Sequence, residues 1–154
     1  MSLKPGDMVP DLRLPASGSR EINLRDFAGK KLVVYFYPKD NTPGCTQEGQ
    51  DFRDLYPAFA QAGTEVVGVS RDSVRSHDNF IAKYGFPFPL IADTEQKLCD
   101  AFGAITEKSM YGKKYMGVDR CTWLFDADGV LRRAWRAVKV KNHAADVLAA
   151  ARAL

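Results

Sequence analysis

A chain of 154 residues with 45% apolar and 27% charged side chains has the make-up of a folded domain with its own core, which excludes an extended, disordered chain. A net charge of +3 is too small for a polyanion-binding surface, and the pairs Lys30-Lys31 and Lys113-Lys114 read as solvated faces. No run of about 18 apolar residues is present, so neither a membrane span nor a membrane partner is expected.

Met1 to Ser19 reads as irregular, interrupted by Pro5, Pro10 and Pro15, with a short strand between Val9 and Leu14. Ile22 to Leu24 alternates and is expected to pair with it, before a brief helical turn from Leu24 to Phe27. Leu32 to Tyr37 is near-continuously apolar and β-branched or aromatic, the pattern of a strand buried on both faces. Phe52, Leu55, Tyr56 and Phe59 then recur at helical spacing, giving a helix to about Ala62 that stops at Gly63 and contains Pro57. Glu65 to Ser70 is a second buried strand. A helix striped by Phe80, Ile81 and Tyr84 follows and ends at Gly85.

Leu90 to Asp93 is a short strand or bend, and Glu95 to Phe102 a third helix with Leu98, Ala101 and Phe102 facing inward. Ser109 to Gly117 reads as a loop. Thr122 to Phe125 is a third strong strand, joined through the turn Asp126-Ala127-Asp128-Gly129 to the alternating segment Val130 to Arg136. Asn142 is placed to cap a last helix, Ala144 to Leu154. Strands alternating with helices predict one α/β domain spanning 1–154, with a central mixed sheet flanked by helices on both faces.

The chemistry concentrates where the first strong strand ends. Asp40 to Gly44 forms a polar, turn-forming mouth, and Cys45 follows it in the opening turn of a helix. Thr42 is a plausible N-cap, with Pro43 at the first helical position, where its missing N–H costs nothing. Cys45 then lies near unpaired N–H groups and the positive end of the helix dipole, and both favour thiolate, the nucleophilic form. Thr42 and Cys45 have the spacing of a C-x-x-C motif with only the second sulfur present. Dithiol exchange is therefore disfavoured, and attack on an electrophile through a sulfenic acid is favoured.

Tyr37-Pro38, Thr42-Pro43-Gly44-Cys45-Thr46 and Glu48 together resemble the active-site signature of peroxiredoxins, in particular the Q-type or bacterioferritin-comigratory branch. The likeness continues through Asp93, Phe102-Gly103, Glu107-Lys108-Ser109, Gly112-Lys113, Gly117, Arg120 and Asp126 to Gly129, covering essentially the whole chain. It implies a thioredoxin-like fold and reduction of hydrogen peroxide and organic hydroperoxides. By position, it implies that Cys45 is the peroxidatic cysteine and that Thr42 bonds the thiolate and the peroxide. It further implies that Arg120 supplies positive charge, Pro38 shields the pocket and Glu48 orients an arginine. No cofactor is implied.

Many Q-type relatives carry a second, resolving cysteine five residues after the first or in the following helix; Gln50 and Ile81 stand at those places here. Cys99 and Cys121 remain, and both read as buried packing residues. The expectation is a one-cysteine mechanism in which glutathione, glutaredoxin or thioredoxin reduces the sulfenic acid. Two alternatives stand: Cys99 as resolving cysteine after local unfolding, and a peroxide sensor or relay that passes oxidation to a partner.

His77 and His143 stand apart from any cysteine pair and read as surface residues, so no metal site is expected. The absence of an apolar leader and the scattered cysteines point to a reducing, cytoplasmic setting. The resemblance favours a monomer, with a dimer as the alternative.

Overall fold

The computed structural model describes residues 3–154. In chain order it contains β1 (Arg13–Ala16), β2 (Arg20–Asn23), a 3-10 turn (Leu24–Phe27), β3 (Lys31–Phe36), α1 (Pro43–Gln61), β4 (Thr64–Ser70) and α2 (Val74–Tyr84). Then follow β5 (Leu90–Ala92), α3 (Lys97–Phe102), β6 (Ile105–Met110), β7 (Lys113–Val118), β8 (Cys121–Phe125), β9 (Leu131–Trp135) and α4 (His143–Arg152). Seven strands form one sheet in the order β2-β1-β5-β4-β3-β8-β9. The central strands β3, β4 and β5 are parallel, and parallel neighbours require crossovers, which α1 and α2 supply. β8 closes antiparallel on β3. The sheet is mixed, as the alternation of elements predicts.

β3 lies inside the sheet, between β4 and β8, and both of its faces are apolar. Val33 and Tyr35, with Tyr37 just beyond, pack against Phe52 and Phe59 of α1, Phe80 of α2 and Val147 of α4. Leu32, Val34 and Phe36 point the other way, onto Leu98 and Phe102 of α3 and Trp123 and Phe125 of β8. Each fully buried large apolar side chain of this kind contributes about 1.5–3 kcal/mol. Two core layers therefore lie on opposite faces of one sheet, and the strand that separates them leads directly into the Cys45 loop. Among the described residues, no helix is long and apolar enough to cross a membrane.

Gly85 ends α2 at φ +67, a left-handed conformation that glycine adopts without Cβ strain. The loop expected from Ser109 to Gly117 is instead the hairpin β6–β7, paired from Ile105↔Val118 to Met110↔Lys113. It stands outside the main sheet with most of its side chains exposed, so no buried face imposes a period-two apolar pattern on it. The first strand falls at Arg13–Ala16 rather than Val9–Leu14, where it can pair with both β2 and β5. In α3 it is Cys99, not Ala101, that is fully buried beside Leu98 and Phe102.

Candidate active site

β3 delivers the chain to residues 37–42, and that loop sets the start of α1. Thr42 is the N-cap residue in extended conformation, and the first intrahelical bond runs from the Thr46 N–H to the Thr42 carbonyl at 2.8 Å. The N–H groups of Gly44 and Cys45 therefore precede the helix's own ladder, as those of a first turn must. The Thr42 side chain does not cap; its hydroxyl donates to the Lys39 carbonyl at 2.8 Å. No Thr42–Cys45 side-chain bond is made, because that proton is used inside the loop.

Arg120 follows the β6–β7 hairpin and lies just before β8, so the antiparallel pairing of β8 with β3 carries its side chain back to α1. Its Nη2 donates to Cys45 Sγ at 3.4 Å and its Nη1 donates to Glu48 Oε1 at 2.7 Å. One guanidinium thus serves the thiol and the carboxylate from adjacent nitrogens, a fork that lysine cannot reproduce. Gly44 makes the approach feasible: a Cβ there would stand 3.2 Å from Nη2. Burial works against the charge of Arg120, but Glu48 and Cys45 outweigh it and hold its pKa above the ordinary value.

Glu48 is almost fully buried, and burial pushes its carboxyl up to about 7 although Arg120 pulls the other way. Its Oε2 and the hydroxyl of Tyr35 are both buried without a hydrogen-bond partner. Burial, then the charges of Glu48 and Cys45, hold the Tyr35 phenol well above its ordinary pKa, so it is a neutral wall of the site.

Cys45 is only 2% exposed and belongs to the buried cluster that holds Tyr35, Phe52 and Phe86. Pro38 is half-buried in the loop before α1. Cys99 and Cys121 belong to the other core layer: Cys121 pairs in register with Phe36, whose side chain points away from Cys45. Burial drives the thiol of Cys99 strongly upward and that of Cys121 to about 12. All three cysteines are free thiols.

Neither histidine lies at the surface. His77 is fully buried between Asp40 and the Ile91 carbonyl, and His143 is buried against Phe52 and Trp135 with its Nε2 2.8 Å from Thr122 Oγ1. Sequence reading missed them because a polar residue satisfied by distant partners leaves no periodic trace. For His77 a signal did exist, since it stands three residues before Phe80 and so shares the buried stripe of α2.

A buried cysteine at a helix start, bridged by an arginine to a carboxylate, on a thioredoxin-like sheet, is the architecture of a thiol peroxidase. The chain belongs to the AhpC/TSA family, which it matches over residues 5–134. Its relatives within that family are peroxiredoxins. It is 56% identical over 143 residues to Peroxiredoxin Bcp of Xanthomonas campestris, covering 93% of this chain and 89% of that protein. It is 45% identical over 148 residues to Peroxiredoxin Bcp of Bacillus subtilis, covering 96% and 94%.

Among solved structures, it superposes with TM-score 0.90 and 54% identity on the Xanthomonas campestris bacterioferritin comigratory protein, studied for its alkyl peroxide reduction activity; the match covers 94% of this chain and 92% of that one. With a PrxQ mutant of Xylella fastidiosa the TM-score is 0.94 at 45% identity, covering 99% and 98%. These likenesses establish the thioredoxin-like fold.

Proposed function

We propose that this thiol-dependent peroxidase works through one cysteine, Cys45, and reduces hydrogen peroxide and organic hydroperoxides. The observation that carries the reading is the 3.4 Å contact from Arg120 Nη2 to Cys45 Sγ, beside the open N–H groups of the first helical turn. The Cys45 thiolate attacks the hydroxyl oxygen of the peroxide. An S–O bond forms, the O–O bond breaks, the sulfur loses two electrons to the peroxide, and the departing alkoxide or hydroxide takes a proton from water. Charge develops on that leaving oxygen, where a fixed guanidinium and oriented N–H groups stabilise it most. Arg120 stays protonated throughout and acts as an electrostatic element.

Glu48 orients Arg120 through its 2.7 Å ion pair. Thr42 supplies the peroxide contact once its hydroxyl turns from the Lys39 carbonyl, and Pro38 shields the pocket. The sulfenic acid then condenses with an external thiol, forming a mixed disulfide and releasing water. A second thiol releases Cys45 as thiolate and leaves the external disulfide. Cys99 does not resolve the sulfenate in this reading, because the sheet lies between it and Cys45 and its thiol is poorly ionised. Glutathione, glutaredoxin or thioredoxin fills the reductant role, and the protein acts as a cytoplasmic monomer.

Mass spectrometry after one equivalent of peroxide without reductant tests the reading. The expected product carries sulfenic or further oxidised Cys45, with Cys99 and Cys121 reduced. An internal Cys45–Cys99 disulfide would overturn the one-cysteine mechanism, and a Cys45→Ser variant that still turns over would overturn the site.

A further inference from the structure

Four polar side chains that the reaction does not use meet behind the loop that carries Thr42. The Tyr37 hydroxyl donates to Asp40 Oδ1 at 2.6 Å, and the Ser76 hydroxyl donates to Asp40 Oδ2 at 2.8 Å. His77 Nδ1 lies 2.7 Å from the same Oδ2, and His77 Nε2 lies 2.9 Å from the Ile91 carbonyl. Tyr37 and His77 are fully buried and Asp40 nearly so.

Atom types fix the proton count. A carbonyl only accepts, so His77 Nε2 carries a hydrogen. A carboxylate oxygen also only accepts, so the Nδ1–Oδ2 contact holds a second proton, on one atom or the other. The His77–Asp40 pair therefore contains one proton more than a neutral imidazole beside a carboxylate, and it is neutral as a unit. That is the condition under which a charged pair survives in a dry core. Asp72 adds a further tie, its Oδ2 accepting from the Asp40 N–H at 2.8 Å and from the Ser70 hydroxyl at 2.6 Å.

The location gives this cluster its use. Asp40 lies two residues before the N-cap of α1, His77 and Ser76 lie on α2, and Ile91 lies on β5. Asn41, the next residue, is held in left-handed conformation at φ +59, with its Oδ1 accepting from Tyr84 of α2 at 3.1 Å. The loop is thus tied to α2 at two successive residues. At 3.4 Å, the Arg120–Cys45 contact tolerates little movement of the helix start.

We propose that His77 and Asp40 are positioning residues for Cys45. Their buried pair fastens the loop to α2 and β5, and so sets where the first turn of α1 presents its sulfur to Arg120. The proposal rests on the reading of Cys45 as the peroxide-reacting sulfur, and it deepens that reading by naming what holds the sulfur in place.

Three variants test it: His77→Phe, His77→Asn and Asp40→Asn. His77→Phe fills the volume but removes the bonds to Asp40 and to the Ile91 carbonyl, so the loop should release the helix start. The expected result is a loss of at least about tenfold in the second-order rate of Cys45 with hydrogen peroxide, the scale set by small misplacements of reacting groups. The Cys45 thiol titration, followed by thiolate absorbance against a Cys45→Ser control, should also move to higher pH. Asp40→Asn is the conservative rescue. Its amide can accept from Tyr37 and donate to Nδ1 of a neutral His77 and to Ser76, so every contact survives without charge. Its rate and titration should stay within about threefold of the parent, since the geometry is kept.

A folded His77→Phe protein with parental rate and titration would overturn the proposal. A folded Asp40→Asn protein as impaired as His77→Phe would also overturn it, by showing that charge rather than position matters. If His77→Phe does not fold, His77→Asn, which keeps a donor toward Asp40 and loses the Ile91 contact, is read by the same two outcomes. The titration needs no turnover, so it reports on this proposal even where the peroxidase reading itself fails, and that reading fails separately through the Cys45→Ser variant.

Discussion

Arg120 places Nη2 3.4 Å from Cys45 Sγ while its Nη1 is engaged by Glu48 at 2.7 Å. Two jobs fall to one planar group, so its shape matters as much as its charge. Arg120→Lys keeps the charge but loses the rigid planar fork that spans both partners. We expect either Arg120→Lys or Arg120→Ala to slow peroxide reduction by about 10²–10³, the usual cost of removing a preorganised charge donor. Stopped-flow rates for the reduced enzyme would show it, and a loss below threefold in Arg120→Ala would remove the arginine from the mechanism.

Gly44→Ala tests the same contact from the other side. The added Cβ would meet Nη2 at 3.2 Å, so the guanidinium must give way by a few tenths of an ångström. The expected result is a rate loss of about tenfold from misplacement, with the melting temperature little changed. Parental kinetics in this variant would show that Arg120 has slack to move.

The carboxyl of Glu48 titrates near 7 in the folded protein against an ordinary value of 4.5, chiefly because it is buried. A raised folded pKa contributes stability that is complete below about 4.5 and lost as pH rises through about 7. At one tenfold step per about 1.4 kcal/mol, that loss is at most about 3 kcal/mol. Denaturant melts across this range should show falling stability with rising pH, and Glu48→Gln should flatten the slope. An unchanged slope in that variant would place the titration elsewhere.

His143 has the opposite sign. Burial lowers its pKa from 6.5 to about 4, so its contribution is present above 6.5 and lost as pH falls through about 4. His143→Gln should remove most of this acid limb. Nuclear magnetic resonance titration of the imidazole would check the assignment directly; a midpoint near 6.5 would contradict it.

Cys99 and Cys121 should be dispensable for turnover with an external thiol. Cys99→Ala and Cys121→Ser are expected to retain parental kinetics. Cys121→Ala should additionally destabilise the fold by about 1–3 kcal/mol, because the Trp123 indole N–H now donates to the Cys121 sulfur at 3.2 Å and would be left unpaired. Loss of turnover in Cys99→Ala would favour a resolving role for that thiol.

The main frame was legible because its signals are local. The apolar run ending at Tyr37, the helical recurrence of Phe52 and Phe59, and Thr42-Pro43 ahead of Cys45 each fix an element from neighbouring residues alone. What escaped leaves no apolar period of its own in the sequence. The β6–β7 hairpin pairs exposed strands and so has no buried face to betray it. His77 depends on Asp40 and Ile91, and Thr42's hydroxyl on a carbonyl within its own loop. Arg120's contact with Cys45 spans 75 positions and follows from strand pairing, which the sequence does not index.

The β-sheet between Cys45 and the two remaining thiols has a metabolic corollary on the one-cysteine reading. With no second cysteine on its own side of the wall, the oxidised chain has no private route back to rest. Its waiting time between cycles is then governed by the concentration of small or protein-borne thiols around it, so that flux through the enzyme tracks the reducing power of its surroundings.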